Sequence, residues 1–214
     1  MAIAAVIWDF GGVFTTSPFE AFNRFELQRG LPKDLIRTIN ASNPDSNAWA
    51  LFERGKIDHR AFDSKFLEES TALGHPVRGA EILPLLSGEV RPRMVAALLT
   101  CKRRFKVGCI TNNMPVGHGA GMAASAAGAS RAGDIMQHFD VIIESSKTGL
   151  RKPDPRIYLL MCERLGVDAT ACIYLDDLGV NCKPAAQLGM AAIKVVTEVQ
   201  ALADLESATG LTFL

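Results

Sequence analysis

The chain has 214 residues, of which 48% are hydrophobic and 21% are charged. These values are close to the globular average and exclude a disordered or fibrous chain. Lysine and arginine together number 23, as do aspartate and glutamate, so the formal net charge is zero. A neutral chain has no excess positive charge with which to attract nucleic acid or an anionic membrane, so we expect neither as a partner.

The cysteines and the N-terminal residues predict a cytoplasmic location. The five cysteines are an odd number without a Cys-x-x-Cys pair, a pattern typical of reduced, buried thiols rather than of disulfides or a zinc site. Asp9 interrupts the apolar N-terminal run too early for a signal peptide. No apolar run approaches the roughly 18 residues that span a bilayer.

The first predicted strand covers residues 3–8, a short apolar run rich in β-branched residues. It stops at Asp9-Phe10-Gly11-Gly12, which is typical of a turn loosened by glycine. Ser17-Pro18-Phe19-Glu20 then has the pattern of a capping box with proline at the first helical position. This pattern predicts a helix that ends near Gly30.

From there to about residue 103 the patterns are mainly helical. Asp58 is a candidate helix cap, Gly74 a candidate helix end and Pro92 a candidate start of the next helix. The patterns predict a helical insertion of about 80 residues, in which no motif identifies a ligand. Three of its side chains could line a pocket or simply pack, and packing is the expectation for the aromatic ones: Trp49, Phe52 and His59.

The remaining patterns predict a parallel sheet covered by helices on both faces. Short apolar runs alternate with helical segments of about 10 residues, which is the signature of an α/β sheet. The runs are residues 105–111, 139–143, 171–175 and 191–196, and the later ones are separated by helical patterns at 155–165 and 181–188. Residues 114–133 are rich in glycine and alanine and predict a loop or a poorly ordered helix with no assigned function.

Polar side chains follow three of these runs, where an α/β sheet gathers its active site. They are Asp9, Thr111-Asn112-Asn113 and Asp176-Asp177, and Lys152 precedes a proline-started helix. Singly, each has an ordinary interpretation as a turn residue, a cap or a solvated charge. Together, the carboxylates need a cation such as Mg²⁺ between them, and threonine and lysine could hold an anionic group against it. The set therefore predicts a phosphoryl-transfer site.

These four segments resemble the four motifs of the haloacid dehalogenase-like (HAD) hydrolases. The resemblance covers essentially the whole chain and implies a Rossmann-like core at residues 1–15 and 91–214, with a helical cap at 16–90. Residues 175–190 (LDDLGVNCKPAAQLGM) and 205–214 (LESATGLTFL) are most similar to two kinds of domain. One is the N-terminal phosphatase domain of soluble epoxide hydrolases, and the other precedes acyl-CoA dehydrogenase domains in some fusion proteins.

The resemblance implies a phosphatase of small phosphorylated metabolites. Asp9 would be the nucleophile, and Thr111 and the Asn112 backbone would bind phosphate oxygens. Lys152 would bind phosphate and neutralise charge on Asp9. Mg²⁺ would be held by Asp9, the Gly11 carbonyl and Asp177, with Asp176 behind them or bonded to Lys152.

The chain departs from the family pattern at Gly11. The usual phosphatase of the family has an aspartate there, two residues after the nucleophile, as general acid and then base. Glycine can still supply its carbonyl oxygen to a metal, but it cannot transfer a proton. Two alternatives therefore stay open: a 2-haloacid dehalogenase, whose halogenated substrate needs no leaving-group proton, and a catalytically weak phosphate-binding module.

Overall fold

The computed structural model describes residues 2–114, 122 and 125–213. Its centre is a five-stranded parallel sheet with the strand order β3-β2-β1-β4-β5. The strands are β1 (Ala5–Trp8), β2 (Lys106–Thr111), β3 (Val141–Glu144), β4 (Cys172–Asp176) and β5 (Ala191–Lys194). All five strands lie within a residue or two of the apolar runs that predicted them.

A helical segment lies between β1 and the rest of the sheet, and we call residues 16–90 the helical insertion. Its helices pack around a cluster of their own in which the Phe52 ring stacks on Phe62 with centroids 4.8 Å apart. The helices are α1 (Pro18–Gln28), α2 (Leu35–Ala41), α3 (Ala48–Glu53), α4 (His59–Ala72) and α5 (Gly79–Ile82), followed by a 3₁₀ turn at Leu83–Leu86. The boundaries of the insertion at 15/16 and 90/91 stay a prediction.

The other helices cover both faces of the sheet. They are α6 (Pro92–Lys102), α7 (Ala126–Met136), α8 (Ser145–Thr148), α9 (Pro155–Leu165), α10 (Gly179–Gln187) and α11 (Glu198–Thr209). Apolar side chains of α6, α7 and α11 pack with Val6 and Trp8 on one face. Those of α9 and α10 pack with Ile7 and Tyr174 on the other face. The predicted α/β, Rossmann-like architecture is confirmed.

Of two predicted helix caps, one is confirmed and the other is wrong. Asp58 caps α4 as expected, because its side chain accepts a hydrogen bond from the Ala61 backbone N–H. The capping box at Ser17 is wrong: Ser17 precedes α1, but its side chain makes no cap hydrogen bond. Instead, its hydroxyl donates to Asp177 Oδ2 at 3.1 Å, because the fold brings that carboxylate from 160 residues away.

The glycine- and alanine-rich segment at 114–133 is described in part. Helix α7 forms over Ala126–Met136, with Ser125 as its cap, while residues 115–121, 123 and 124 lie outside the described residues. All five cysteines are free and buried, as their small apolar character predicted. In the described part of the chain, no helix combines the length and apolar character that crossing a bilayer requires.

Candidate active site

The carboxyl ends of three neighbouring strands bring the predicted polar residues together. Trp8 is aligned with Cys109 of β2 and with Leu175 of β4. Because the strands are parallel and in this register, Asp9 follows β1 at the edge where Thr111 and Asp176 end their strands. The Asp9 backbone N–H donates to the Leu175 carbonyl at 2.8 Å, which holds this residue against β4.

Lys152 is buried at this edge between two carboxylates. Its Nζ lies 2.7 Å from Asp9 Oδ1 and 2.8 Å from Asp176 Oδ2, and its side chain is 1% exposed. A buried ammonium requires such partners. Burial lowers the pKa of Lys152, but Asp176 and Asp9 outweigh it and hold this pKa above its usual value, so Lys152 is a fixed positive charge.

Asp176 is held by a dense set of donors besides Lys152. The Tyr174 hydroxyl donates to Oδ2 at 2.5 Å, the Leu178 N–H to Oδ1 at 2.8 Å, and Asn181 Nδ2 lies 3.0 and 3.1 Å from the two oxygens. With its oxygens occupied in this way, Asp176 orients Lys152. Sequence analysis missed Tyr174 and the Asn181 side chain, although both lie close to the Asp176-Asp177 pair in the chain.

Asp177 lies against the turn that follows β1. A Cβ atom on Gly12 would be 2.2 Å from Asp177 Oδ2, and Gly12 has a φ of +74°, so the turn requires glycine for two reasons. Burial and the nearby Asp176 raise the pKa of Asp177 to about 6. The negative electrostatic potential of such neighbouring carboxylates favours a bound cation.

The three carboxylates fit a divalent metal ion. Asp9, Asp176 and Asp177 each place a carboxylate oxygen within 4.8 Å of the others, and the hydrogen bonds of Asp176 leave Asp9 and Asp177 as the carboxylates that could contact the ion. Burial raises the pKa of Asp9 well above its usual value, with Lys152 opposing the shift and the other two carboxylates adding to it. An all-oxygen, acidic set with one neutralising lysine suits Mg²⁺.

Position 11 leaves room for a Cβ atom. A Cβ atom built on Gly11 meets no atom within 4 Å, and Gly11 is not among the glycines with positive φ. Neither sterics nor backbone conformation therefore requires glycine at this position. The absence of a carboxyl group at position 11 therefore changes the chemistry of the site, and the surrounding fold does not require glycine there.

Thr111 ends β2 and Asn112 follows it, at the same edge of the sheet as Asp9. Thr111 is buried, and the Asn112 side chain holds the backbone of Lys152 from both sides. The Lys152 N–H donates to Asn112 Oδ1 at 2.8 Å, and Asn112 Nδ2 donates to the Lys152 carbonyl at 3.0 Å. Sequence analysis assigned Asn112 through its backbone alone and missed this function of its side chain.

A cavity of about 700 Å³ opens over these groups and extends under the helical insertion. Asp9, Gly11, Thr111, Asn112, Lys152 and Asp177 all line it. Much of the remaining lining is apolar: Phe19, Phe22, Trp49, Leu86, Met114 and Met122. Of the three side chains weighed from the sequence, Trp49 therefore lines the cavity, Phe52 packs in the insertion and His59 is exposed.

The cavity wall also contains an ion pair that sequence analysis missed. Arg151 donates from Nε to Glu53 Oε2 at 2.7 Å, and its Nη2 lies 2.7 Å from the same oxygen. Burial raises the pKa of Glu53, and Arg151 opposes the shift. Arg151 directly precedes Lys152, but nothing in the sequence of α3 marks Glu53 as its partner.

The fold and this site define a class of protein. The chain belongs to the haloacid dehalogenase-like hydrolases, because the model of that family matches residues 3–189. It is therefore a hydrolase of this superfamily, as the four motifs predicted.

Several individual proteins are similar to this chain over most of its length. The chain is 32% identical over 96% of its length to acyl-CoA dehydrogenase family member 10 of Mus musculus, and 31% identical over its full length to bifunctional epoxide hydrolase 2 of Sus scrofa. It spans 19% and 40% of those relatives, respectively. A phosphatase of Mycobacterium tuberculosis is 28% identical over 91% of this chain and 88% of its own length. The chain thus has phosphatases among its homologues.

The fold is also that of solved HAD enzymes. A HAD family enzyme of Bacteroides thetaiotaomicron, solved in complex with magnesium and inorganic phosphate, covers 90% of this chain with a TM-score of 0.59. The chain covers 94% of that structure at 18% sequence identity. This similarity confirms the fold.

Proposed function

We propose that the protein is a Mg²⁺-dependent phosphatase that transfers the phosphoryl group of a small metabolite to Asp9. The observation that carries this proposal is the buried Asp9–Lys152–Asp176 chain of ion pairs at the cavity floor, with Asp177 beside it. The phosphatase among the relatives and the phosphate-bound neighbour support it. The five free thiols support a cytoplasmic location as part of the same proposal.

The Asp9 carboxylate is positioned to attack phosphorus. Its Oδ1 accepts hydrogen bonds from Lys152 Nζ and from the Phe10 N–H, both at 2.7 Å, which leaves Oδ2 as the nucleophilic oxygen. A bond forms between Oδ2 and phosphorus while the bond from phosphorus to the leaving oxygen breaks. Water then hydrolyses the acyl phosphate, which releases inorganic phosphate and restores the carboxylate.

The chain's own residues stabilise the charge that moves in these steps. Lys152 and the Thr111 hydroxyl offer donors to the phosphoryl oxygens, together with the Asn112 backbone N–H. Asp9, Asp177 and the Gly11 carbonyl would hold Mg²⁺, and Asp176 would stand behind them. The metal, when bound, supplies Lewis-acid stabilisation of the phosphoryl oxygens.

Gly11 determines which leaving groups the site handles well. Without a carboxyl two residues after Asp9, the leaving oxygen departs without a proton from that position. A leaving group of low basicity needs no such proton, so activated esters are favoured. The apolar cavity lining favours a substrate whose organic part presents hydrocarbon surface.

Three measurements on one preparation test the proposal. We expect Mg²⁺-dependent phosphate release from p-nitrophenyl phosphate, and no chloride release from a 2-chloroacid. Metal-independent chloride release would support the dehalogenase alternative instead. Phosphate binding without release from any phosphate ester would support a weak binding module.

A further inference from the structure

The Glu53–Arg151 pair connects the helical insertion to the core. Glu53 is the last residue of α3 in the insertion, and Arg151 lies in the core loop that leads to α9. Their side chains are 9% and 17% exposed, so the pair is largely withdrawn from solvent. An ion pair in this environment is far less screened than one on the surface.

All three nitrogens of the Arg151 guanidinium contact the insertion. Besides the two contacts with Glu53 Oε2, its Nη1 donates to the Pro44 carbonyl at 2.9 Å. The other Glu53 oxygen accepts from Trp49 Nε1 at 2.9 Å. The Glu53 carbonyl accepts from the hydroxyl of Ser145 in α8 at 2.7 Å. Glu53 is therefore the point at which α3 is fixed to the core.

The same pair adjoins the reaction centre. Arg151 immediately precedes Lys152, whose backbone is held by Asn112, and Glu53 and Arg151 both line the cavity. A change in the position of Arg151 is thus passed directly to the loop that places the Lys152 ammonium on Asp9.

The chain enters and leaves the insertion through two adjacent segments. The two ends of the insertion run side by side and form an antiparallel bridge between Thr15 and Val90. Backbone hydrogen bonds run from the Thr16 N–H to the Glu89 carbonyl and from the Arg91 N–H to the Phe14 carbonyl, both at 2.8 Å, and the Glu89 N–H donates to the Thr16 hydroxyl at 3.0 Å. Two such linkers can act as a hinge, so contacts elsewhere must fix the orientation of the insertion over the site.

We propose that Glu53 and Arg151 are positioning residues that hold the helical insertion closed over Asp9, and that they thereby set the affinity for the organic part of the substrate. This inference rests on the proposed phosphatase function for its kinetic consequence, but its structural consequence does not depend on that function. With the pair broken, the insertion opens and its apolar wall no longer contacts the substrate. Small substrates that make little contact with this wall are affected least.

The test uses two variants and a matched control. Arg151→Met removes the cation without touching Trp49, and Glu53→Gln removes the anion while keeping its shape. Arg29→Met breaks an exposed pair of equal length, Arg29–Glu81 at 2.7 Å, which lies entirely within the insertion. Circular dichroism confirms that each variant is folded, and Glu53→Gln decides the outcome if Arg151→Met does not fold.

The first readout is acrylamide quenching of tryptophan fluorescence. Of the two tryptophans, Trp8 is 0% exposed in the core, so quenching reports on Trp49 in the cavity wall. We expect the quenching constant to rise about twofold or more in both variants and to stay unchanged in Arg29→Met, because local opening exposes the wall.

The second readout is the KM for two activated phosphates of different size. We expect the KM for naphthyl phosphate to rise about tenfold, while that for acetyl phosphate changes less than about threefold. Unchanged quenching, or an equal rise of KM for both substrates, overturns the inference. If the wild type releases phosphate from neither compound, the proposed function fails, and quenching alone decides the function of the ion pair.

Discussion

At position 9 the protein buries a carboxylate between one lysine and two further carboxylates. Lys152 occupies Oδ1, which leaves the other oxygen available to a substrate in the cavity. An amide would keep the shape of this side chain, but it lacks the charge and the nucleophilicity that phosphoryl transfer requires.

Asp9→Asn is therefore expected to abolish phosphate release and to preserve the fold. The same change at Asp45, which also lines the cavity but lies outside the acidic cluster, is expected to keep most of the activity. Phosphate release from p-nitrophenyl phosphate and circular dichroism measure the two effects. Comparable activity in purified Asp9→Asn and wild type would remove Asp9 from the mechanism.

Gly11→Asp is expected to add the missing general acid. Position 11 lines the cavity, a Cβ there meets nothing within 4 Å, and the backbone does not have positive φ. General acid catalysis contributes about 10²–10⁴ in rate, and alkyl phosphates gain most because their leaving oxygens are the most basic. We expect kcat/KM for an alkyl phosphate to rise while that for a nitrophenyl phosphate changes little.

A different kinetic result would show that a group other than residue 11 protonates the leaving oxygen. If the wild type shows no preference for the activated ester, and folded, Mg²⁺-binding Gly11→Asp gains nothing, another group in the cavity supplies the proton. A residue of the helical insertion would be the first to examine.

The sequence located the acidic and basic residues of the site because each follows a recognisable strand or precedes a proline-started helix. Asp9, Thr111, Lys152 and Asp177 lie together where those patterns predicted. Glu53 and the hydroxyl of Ser17 were not predicted, because their partners are 98 and 160 residues away in the chain. Local patterns indicate which face a side chain occupies, but contacts between distant segments depend on the assembled fold.

Among the structural elements, the turn between β1 and α1 is constrained both by its backbone conformation and by a close contact. Gly12 has a left-handed backbone and touches Asp177, whereas Gly30, at the end of α1, has a φ of +63° and no atom near its missing Cβ. Both glycines have a positive φ, but only Gly12 lies so close to another side chain, that of Asp177, that a Cβ atom would clash with it.

Gly12→Ala is thus expected to cost more than Gly30→Ala. Both lose stability from backbone strain, of order 1–3 kcal/mol, but Gly12→Ala must also displace Asp177. Urea unfolding with and without Mg²⁺ separates the two effects, since Gly30→Ala should retain the stabilisation by Mg²⁺ and Gly12→Ala should lose it. Equal stabilisation of both variants would show that the turn does not shape a metal site.

Strand positions were the most predictable elements, since short β-branched runs between turn residues have few other interpretations. The start of α1 was placed correctly at Pro18, but its capping was not: the Ser17 side chain makes no cap hydrogen bond and its hydroxyl donates to Asp177. Helix α7 was only weakly indicated, because Gly128 and Gly133 lie inside it and glycine disfavours a helix interior.

At the scale of the whole molecule, we expect the acidic cluster to link stability to pH and to a bound metal ion. Burial and Asp176 raise the pKa of Asp177 to about 6 from a usual 3.8. The folded state therefore holds this proton more tightly than the unfolded state. Its contribution to stability is present below about pH 4 and is lost as pH rises through 6. Mg²⁺ requires the ionised carboxylate, so its stabilising effect grows over the same interval.

We expect the rise in Tm with millimolar Mg²⁺ to be larger at pH 7 than at pH 5. In Asp177→Asn this rise should be small at both pH values, because the titrating ligand is gone. Thermal unfolding in EDTA and in Mg²⁺ gives both quantities. A wild type whose Tm is insensitive to Mg²⁺ at pH 7 would contradict the assignment of a metal site to this cluster.

We expect the phosphoryl group to pass through Asp9 as an acyl phosphate. Borohydride reduces an acyl phosphate to the alcohol, so reaction quenched with borohydride during turnover of an activated aryl phosphate should convert Asp9 to homoserine. Peptide mass spectrometry locates the change. We predict homoserine at position 9 in the wild type with Mg²⁺, and none in Asp9→Asn. Sustained phosphate release with an unmodified Asp9 at every time of quenching would contradict the account.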